Sequence, residues 1–279
     1  MQTRLRGRAH RRGPAAEQLS RPRRVRGATY FRSRQEHETL TIVVSRFPSR
    51  EEVPAEDAPA FVLVHGLGVS ARYFGPLAAE LARRGPVYVV DLPGYGAAPN
   101  PRRAVPLVDH ARVLAGMLIE LGLRDPVLVG HSMGSQIVSL LAAEHPEITD
   151  RIVLMAPTME PERRGFWNAT GRLLADAFRE PPIVFLIAFG DYLFRCGLRY
   201  LLQQTPYMLG DRVEDRMPGL DARVLVLCGD RDTIVSTAWG RALAEQLRDG
   251  EFHEISGAHV VMHTDPVTVA RHIVDHAAR

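Results

Sequence analysis

Val127-Leu128-Val129-Gly130-His131-Ser132-Met133-Gly134 is the stretch that decides the fold. Three branched apolar residues in succession read as a strand buried on both faces, because a strand with one wet face would alternate. Gly-x-Ser-x-Gly follows at once, and from Met133 to Glu144 the apolar spacing becomes helical. A strand that turns sharply into a helix through this motif holds its serine in strained backbone. The flanking glycines remove the Cβ atoms that would clash where neighbouring elements approach closely. The turn pushes the Ser132 hydroxyl outward, and the first amides of the next helix bring partial positive charge to the same space. Ser132 is therefore the candidate nucleophile. The competing role for such a serine is a simple helix N-cap.

Outward from this point the pattern repeats. Phe61-Val62-Leu63-Val64, Val87-Tyr88-Val89-Val90, Ile152-Val153-Leu154-Met155 and Val224 to Cys228 are further short apolar runs. Residues 251–256 give one more strand. Helical stretches at roughly 71–84, 107–122, 133–144, 237–248 and 266–277 separate them. In the second, Leu107, Val108, Ala111, Leu114, Ala115, Leu118 and Ile119 fall at helical spacing on one face. Strand–helix alternation of this kind predicts an α/β fold with a mostly parallel sheet flanked by helices. His37 to Arg46 reads as a strand on an antiparallel edge, and 47–59 as a polar linker. The segment 158–218 breaks the rhythm: it is helical, rich in large apolar residues and without a clear strand, so it reads as an insertion.

In such a sheet, ligands bind beyond the carboxyl ends of the strands. After Phe61–Val64 comes His65-Gly66-Leu67-Gly68, where glycine lets backbone approach a ligand. A serine hydroxyl needs a base, and His259 sits in the loop between strand 251–256 and the last helix. The base needs an acid to fix its tautomer. After strand 223–228 comes Gly229-Asp230-Arg231-Asp232, and either aspartate could reach a histidine loop. Asp232 is preferred because Asp230 lies nearer the strand and its turn. A negative tetrahedral oxygen needs preorganised amides, for which Leu67 and Met133 are the candidates.

These features together resemble the α/β-hydrolase superfamily, in the branch that carries a helical cap. The order agrees: the His-Gly loop at 65–68, Asp91-Leu92-Pro93-Gly94-Tyr95-Gly96 after the next strand, the nucleophile elbow at 130–134, an insertion, Asp232, then His259. The resemblance covers about 38–279. It implies an α/β-hydrolase fold with 35–157 and 219–279 as core and 158–218 as cap. It also implies a serine hydrolase with Ser132 as nucleophile, Asp232 as acid, His259 as base, and Leu67 and Met133 as oxyanion donors. Asp91 is assigned to turn structure. Ser135 stands where many relatives have a further glycine, and Ala97-Ala98 replaces a common serine. A serine elbow disfavours haloalkane dehalogenases and epoxide hydrolases of this fold, which use aspartate. Carbon–carbon bond hydrolysis, acyl transfer and a non-catalytic binding role on the same fold are the alternatives to an esterase, thioesterase or lactonase.

The implied partner is a small acyl substrate. Phe166, Trp167, Leu173, Leu174, Phe178, Ile183, Phe185, Leu186, Phe189, Tyr192, Leu193 and Phe194 give the insertion an apolar face that either packs on the core or receives an apolar acyl or aromatic group. The resemblance implies no metal and no organic cofactor, and the two cysteines, Cys196 and Cys228, form no metal-ligand pattern. Their number fits a reducing compartment, so a cytoplasmic location is expected. No apolar run is long enough to cross a bilayer. With 46% hydrophobic and 24% charged residues and a net charge of only +3, the composition is ordinary for a globular protein, and no nucleic-acid partner is expected. Residues 1–34 hold eleven arginines against the single acid Glu17, which reads as a disordered arm outside the domain.

Overall fold

The apolar runs become the centre of one sheet. A computed structural model describes residues 20–50, 58–158, 160–165, 171, 186, 190, 191 and 196–279. Its strands are β1 (Arg23–Val25), β2 (Ala28–His37), β3 (Leu40–Phe47), β4 (Phe61–Val64), β5 (Val87–Asp91), β6 (Val127–His131), β7 (Arg151–Met155), β8 (Arg223–Gly229) and β9 (Gly250–Ile255). Among the described residues these nine form a single sheet in the order β1-β2-β3-β5-β4-β6-β7-β8-β9. From β5 to β9 every pairing is parallel, and β1, β2 and β3 extend the sheet antiparallel.

The helices that can be bounded among the described residues are α1 (Gly75–Leu81), α2 (Leu107–Glu120), α3 (Met133–Glu144), α4 (Leu198–Gly210), α5 (Val213–Arg216), α6 (Thr237–Glu245), α7 (Val261–Thr264) and α8 (Pro266–Ala277). They cover both faces of the sheet, and this explains why the central strands are apolar throughout. Along β4, Val62 and Val64 join one core with residues of α2, α3 and α6. Phe61 and Leu63 join the other, with residues of α1, α7 and α8. Successive side chains of a strand point to opposite faces, so a strand with two dry faces needs an apolar residue at every position. All four β4 residues are fully buried.

Four expectations are corrected. The arm does not extend to residue 34: Arg23–Val25 and Ala28–His37 are strands, and a domain boundary at 34 would cut β2 near its end. Arg23, Arg24, Arg32 and Arg34 lie on the paired strands β1 and β2, whereas Arg4, Arg6, Arg8, Arg11 and Arg12 lie outside the described residues. Arg32 donates from Nε to Ser45 Oγ at 3.4 Å, Arg34 donates to Thr41 Oγ1 at 3.3 Å, and Tyr30 stacks on Phe47 at 4.9 Å. Arginine reaches solvent from a long apolar stem, so it fits a strand as readily as a tail. For the same reason β3 is not an edge, since β2 pairs with it from Phe31↔Arg46 to His37↔Leu40. The apolar stripe of α2 is also rotated: Ile119 is 68% exposed, whereas His110 and Met117 are buried. The expected helix at 71–84 divides into a 3-10 turn over Ala71–Phe74 and α1, and the proline at position 76 sits at the start of the latter.

Of the expected insertion at 158–218, α4 and α5 are described, with short 3-10 turns at Pro161–Arg163 and Met217–Gly219. Tyr200 Oη donates to Pro93 O at 3.0 Å and Gln136 Nε2 donates to Met208 O at 2.9 Å, which ties α4 to the loop after β5 and to α3. The apolar residues named above lie outside the described residues except Leu186, which is 62% exposed. No described helix is long and apolar enough to cross a membrane.

Candidate active site

The strand order reverses around β4, with β5 on one side and β6 on the other. At such a reversal the loops leaving neighbouring strands diverge to opposite faces and open a crevice at their carboxyl ends. The His65–Gly68 loop leaves β4 there and the 130–134 elbow leaves β6.

Ser132 has φ 53° and ψ −119°, a positive-φ conformation that costs a non-glycine residue about 1–3 kcal/mol. Backbone bonds on both sides fix it. Its amide donates to Met155 O at 2.9 Å, and its carbonyl accepts from the Ser135 amide at 2.9 Å. The two flanking glycines are required by space. A Cβ on Gly130 would run into the Gly134 carbonyl, and a Cβ on Gly134 into the Val64 carbonyl. Both obstacles are backbone and cannot swing away. Gly134→Ala is therefore expected to lose about 3 kcal/mol of stability, the upper end of overpacking costs, read as the urea midpoint at constant m-value; a loss under 1 kcal/mol would show that α3 can slide off β4 freely.

His259 Nδ1 lies 2.8 Å from Asp232 Oδ2, with the acid side chain fully buried and the imidazole nearly so. The other carboxylate oxygen, Oδ1, accepts from the Ile234 and Val235 amides at 2.7 and 3.0 Å. An ionised carboxylate only accepts, so Nδ1 carries the imidazole proton and Nε2 keeps its lone pair. That is the tautomer a proton acceptor at Nε2 requires. Asp230, the alternative acid, does something else: its Oδ1 accepts from the Gly257 amide at 2.8 Å, and that bond holds its carboxyl below the usual carboxylate range. Arg231 N donates to Gly257 O at 2.8 Å. The acid loop is thus laced to the turn that precedes His259.

Ser132 reaches this pair through its neighbour. His131 Nε2 lies 3.0 Å from the His259 carbonyl, and the two imidazole rings are 4.6 Å apart. Among the described residues no hydrogen bond joins the Ser132 hydroxyl to His259. Contacts of this kind tighten when a ligand arrives.

The Gly66 loop closes the other side. A Cβ on Gly66 would stand 3.2 Å from the Ser132 Cβ. His65 Nδ1 lies 2.8 Å from Gly66 O, and its Nε2 accepts from the Leu92 amide at 3.1 Å. In a trans peptide the N–H points opposite to the C=O. Tethering the Gly66 carbonyl to His65 therefore aims the Leu67 amide the other way, and that amide has no hydrogen-bond partner among the described residues. Met133 is fully buried at the first position of α3, where amides have no intrahelical acceptor.

Two buried histidines set an acid limit on stability. Burial pushes His65 down to about 4, against the opposing pull of the Gly66 carbonyl and Asp191, and pushes His110 down to about 3. The unfolded chain titrates both near 6.5. Above pH 6.5 neither state binds these protons and nothing is lost. As pH falls below 6.5 the unfolded chain takes up protons that the folded chain refuses, so stability drops until the folded values are reached. The two together give a slope of up to about 2.7 kcal/mol per pH unit between roughly 6 and 4. His110→Leu is expected to remove half of that slope in urea titrations from pH 7.5 to 4.5, and curves parallel to wild type would contradict it.

Other buried residues take part here without a local pattern that marks them: Tyr73 lies in the turn before α1, and His131 lies inside the elbow motif beside the serine. Asp191 is fully buried, accepts from Ser70 Oγ at 2.5 Å and pairs with Arg72 at 3.3 Å. Asp91 holds turns, as expected: its Oδ1 accepts from the Ala71 amide at 2.7 Å and its Oδ2 from the Ala97 amide at 3.1 Å.

Known proteins share this fold. Residues 61–272 match the model of the alpha/beta hydrolase family. The chain is 31% identical to a pimeloyl-[acyl-carrier protein] methyl ester esterase of Chromobacterium violaceum over 226 residues, which are 72% of this chain and 86% of the esterase. A hydrolase from Pseudomonas aeruginosa PA01 superposes with a TM-score of 0.74 at 16% identity, covering 89% of this chain and 98% of that one. The 2-hydroxy-6-oxo-6-phenylhexa-2,4-dienoate hydrolase of Rhodococcus sp. strain RHA1 superposes with a TM-score of 0.72 at 21% identity, covering 90% and 99%.

Proposed function

The chain belongs to the alpha/beta hydrolase family, and on that premise we propose that it is a serine hydrolase cleaving an ester-type bond of a small acyl substrate through an acyl-enzyme. A carboxylester, thioester or lactone fits this chemistry. The observation that carries the reading is the Asp232–His259 pair, whose fixed tautomer leaves Nε2 able to accept a proton, in loops bound to the strained Ser132 elbow.

His259 Nε2 takes the Ser132 proton as the hydroxyl oxygen bonds to the substrate carbonyl carbon. The carbonyl electron pair moves onto its oxygen, which the Leu67 and Met133 amides stabilise. His259 then gives its proton to the leaving oxygen or sulfur as that bond breaks. Water adds to the acyl-enzyme with His259 as base again, and the acid departs as Ser132 recovers its proton. Asp232 stabilises the transient imidazolium without taking a proton. The 31% identical esterase supports an ester-type substrate. An apolar acyl group is the substrate class that the apolar residues of 158–218 favour.

A fluorophosphonate probe tests the reading directly. The wild-type chain is expected to be labelled at Ser132, as located by peptide mass, and Ser132→Ala to be unlabelled. Labelling elsewhere, or none in the folded wild type, would sink it.

A further inference from the structure

One polar chain crosses beneath the candidate site and touches three of its loops. The Gly66 amide donates to Tyr73 Oη at 3.0 Å. Tyr73 Oη lies 2.9 Å from His131 Nδ1, and His131 Nε2 lies 3.0 Å from the His259 carbonyl oxygen. The end groups fix every direction. A carbonyl oxygen can only accept, so His131 Nε2 carries the imidazole proton. A neutral imidazole has one donor and one acceptor, so Nδ1 accepts, and the Tyr73 hydroxyl must donate to it. That leaves the phenol oxygen to accept from Gly66. Burial holds His131 well below its usual range, with the neighbouring His259 acting the same way, so the neutral form persists.

We propose that Tyr73 and His131 are positioning residues that lock the oxyanion loop, the serine elbow and the base loop into one register through this hydrogen-bond chain. The proposal rests on the reading of Ser132 as nucleophile and His259 as base. Its two ends bear on the reacting groups. Gly66 precedes Leu67, whose amide faces the developing oxyanion, and the other end is the backbone of His259 itself. Between them His131 immediately precedes Ser132. Tyr73 is held at its backbone too, since His263 Nδ1 lies 3.0 Å from the Tyr73 carbonyl, and His263 lies in α7, just past the base. A chain of donors all pointing one way is reinforced at each link, so the loops are coupled to each other more tightly than separate contacts would couple them. A neutral His131 also places no second positive charge beside His259 when that ring becomes an imidazolium. None of these groups touches a substrate; each acts by placing one that does.

The test uses the full chain with p-nitrophenyl butyrate, after fluorophosphonate labelling has shown Ser132 to be the reactive serine. Displacing catalytic groups by fractions of an ångström costs turnover far more than it costs binding. Tyr73→Phe and His131→Leu are each expected to lower kcat roughly 10–100-fold with KM within threefold of wild type. His131→Gln is expected to recover about tenfold of the His131→Leu loss, because one amide can donate to the His259 carbonyl and accept from Tyr73. Residues acting through one chain are not additive, so the Tyr73→Phe/His131→Leu double variant should fall no further than the worse single one. The proposal is overturned by a kcat within twofold of wild type in folded Tyr73→Phe, by losses that multiply in the double variant, or by no recovery in His131→Gln. Should Tyr73→Phe not fold, the Leu and Gln variants at 131 make the same comparison. A folded wild type that fails to label overturns the Ser132 reading itself, and this inference with it.

Discussion

Ser132→Ala is expected to lower kcat by roughly 10⁴–10⁶-fold, the range found when a hydroxyl nucleophile backed by a base is removed. The fold should not notice. The Ser132 backbone is fixed by the hydrogen bond its amide donates to the Met155 carbonyl and the one its carbonyl accepts from the Ser135 amide, and neither involves the hydroxyl. Alanine at φ 53° suffers about the same strain as serine, so the urea midpoint should stay within about 0.5 kcal/mol of wild type. Ser132→Gly is the complementary control. It removes the nucleophile equally, and it also relieves the positive-φ strain, so a stability gain of about 1 kcal/mol is expected. Loss of turnover with unchanged or increased stability separates a reacting side chain from a structural one. Retention of more than a tenth of wild-type turnover by a homogeneous Ser132→Ala sample would remove Ser132 from the chemistry.

The central part of the molecule was legible because one physical rule governs it. A strand covered on both sides needs apolar residues at consecutive positions, and β4, β5, β6, β7 and β8 each announce themselves that way. The chemistry sits in the loops after them, and Ser132, Asp232 and His259 each follow such a strand or its neighbour. The elbow carried a second, independent mark. Gly130 and Gly134 stand where backbone presses on backbone, and no other residue type could serve.

Other features are set by tertiary contacts that local sequence does not carry. The Arg-rich composition of β1 and β2 is compatible with a solvated tail. Only the pairing of β2 with Leu40–Phe47, and of β1 with β2, makes them strands, and pairing partners are invisible in local composition. The spacing of Ile119 fits the buried face of α2, yet the stripe that meets the sheet is set by what lies opposite it. Tyr73 is the clearest case. It stands 58 residues from His131 in the chain, within a 3-10 turn, and nothing in the residues around it marks a hydroxyl that bridges two loops.

The choice between the two aspartates separates two kinds of hydrogen bond, and the second large effect follows from it. Asp232→Asn is expected to cost roughly 10³–10⁴ in kcat. The reason is direction. The Ile234 and Val235 amides demand an acceptor, so an asparagine at 232 keeps its carbonyl toward them and turns its NH₂ toward His259. A donor facing Nδ1 forces the imidazole proton onto Nε2, which can then no longer accept the Ser132 proton. Asp230→Asn makes the opposite case. Its partner is the Gly257 amide, a donor, and an asparagine carbonyl accepts from it as a carboxylate does. Losing the charge weakens that bond without reversing it, so a decrease of less than about tenfold is expected. Steady-state kcat for the two variants on one activated ester, at a pH above the titration of the base, gives the ratio. A ratio of at least about 100 in favour of the Asp230 variant identifies Asp232 as the partner that sets the tautomer. Equal losses would mean that the loop, and not the proton on the imidazole, is what the acid controls, and the reverse order would move the acid to Asp230.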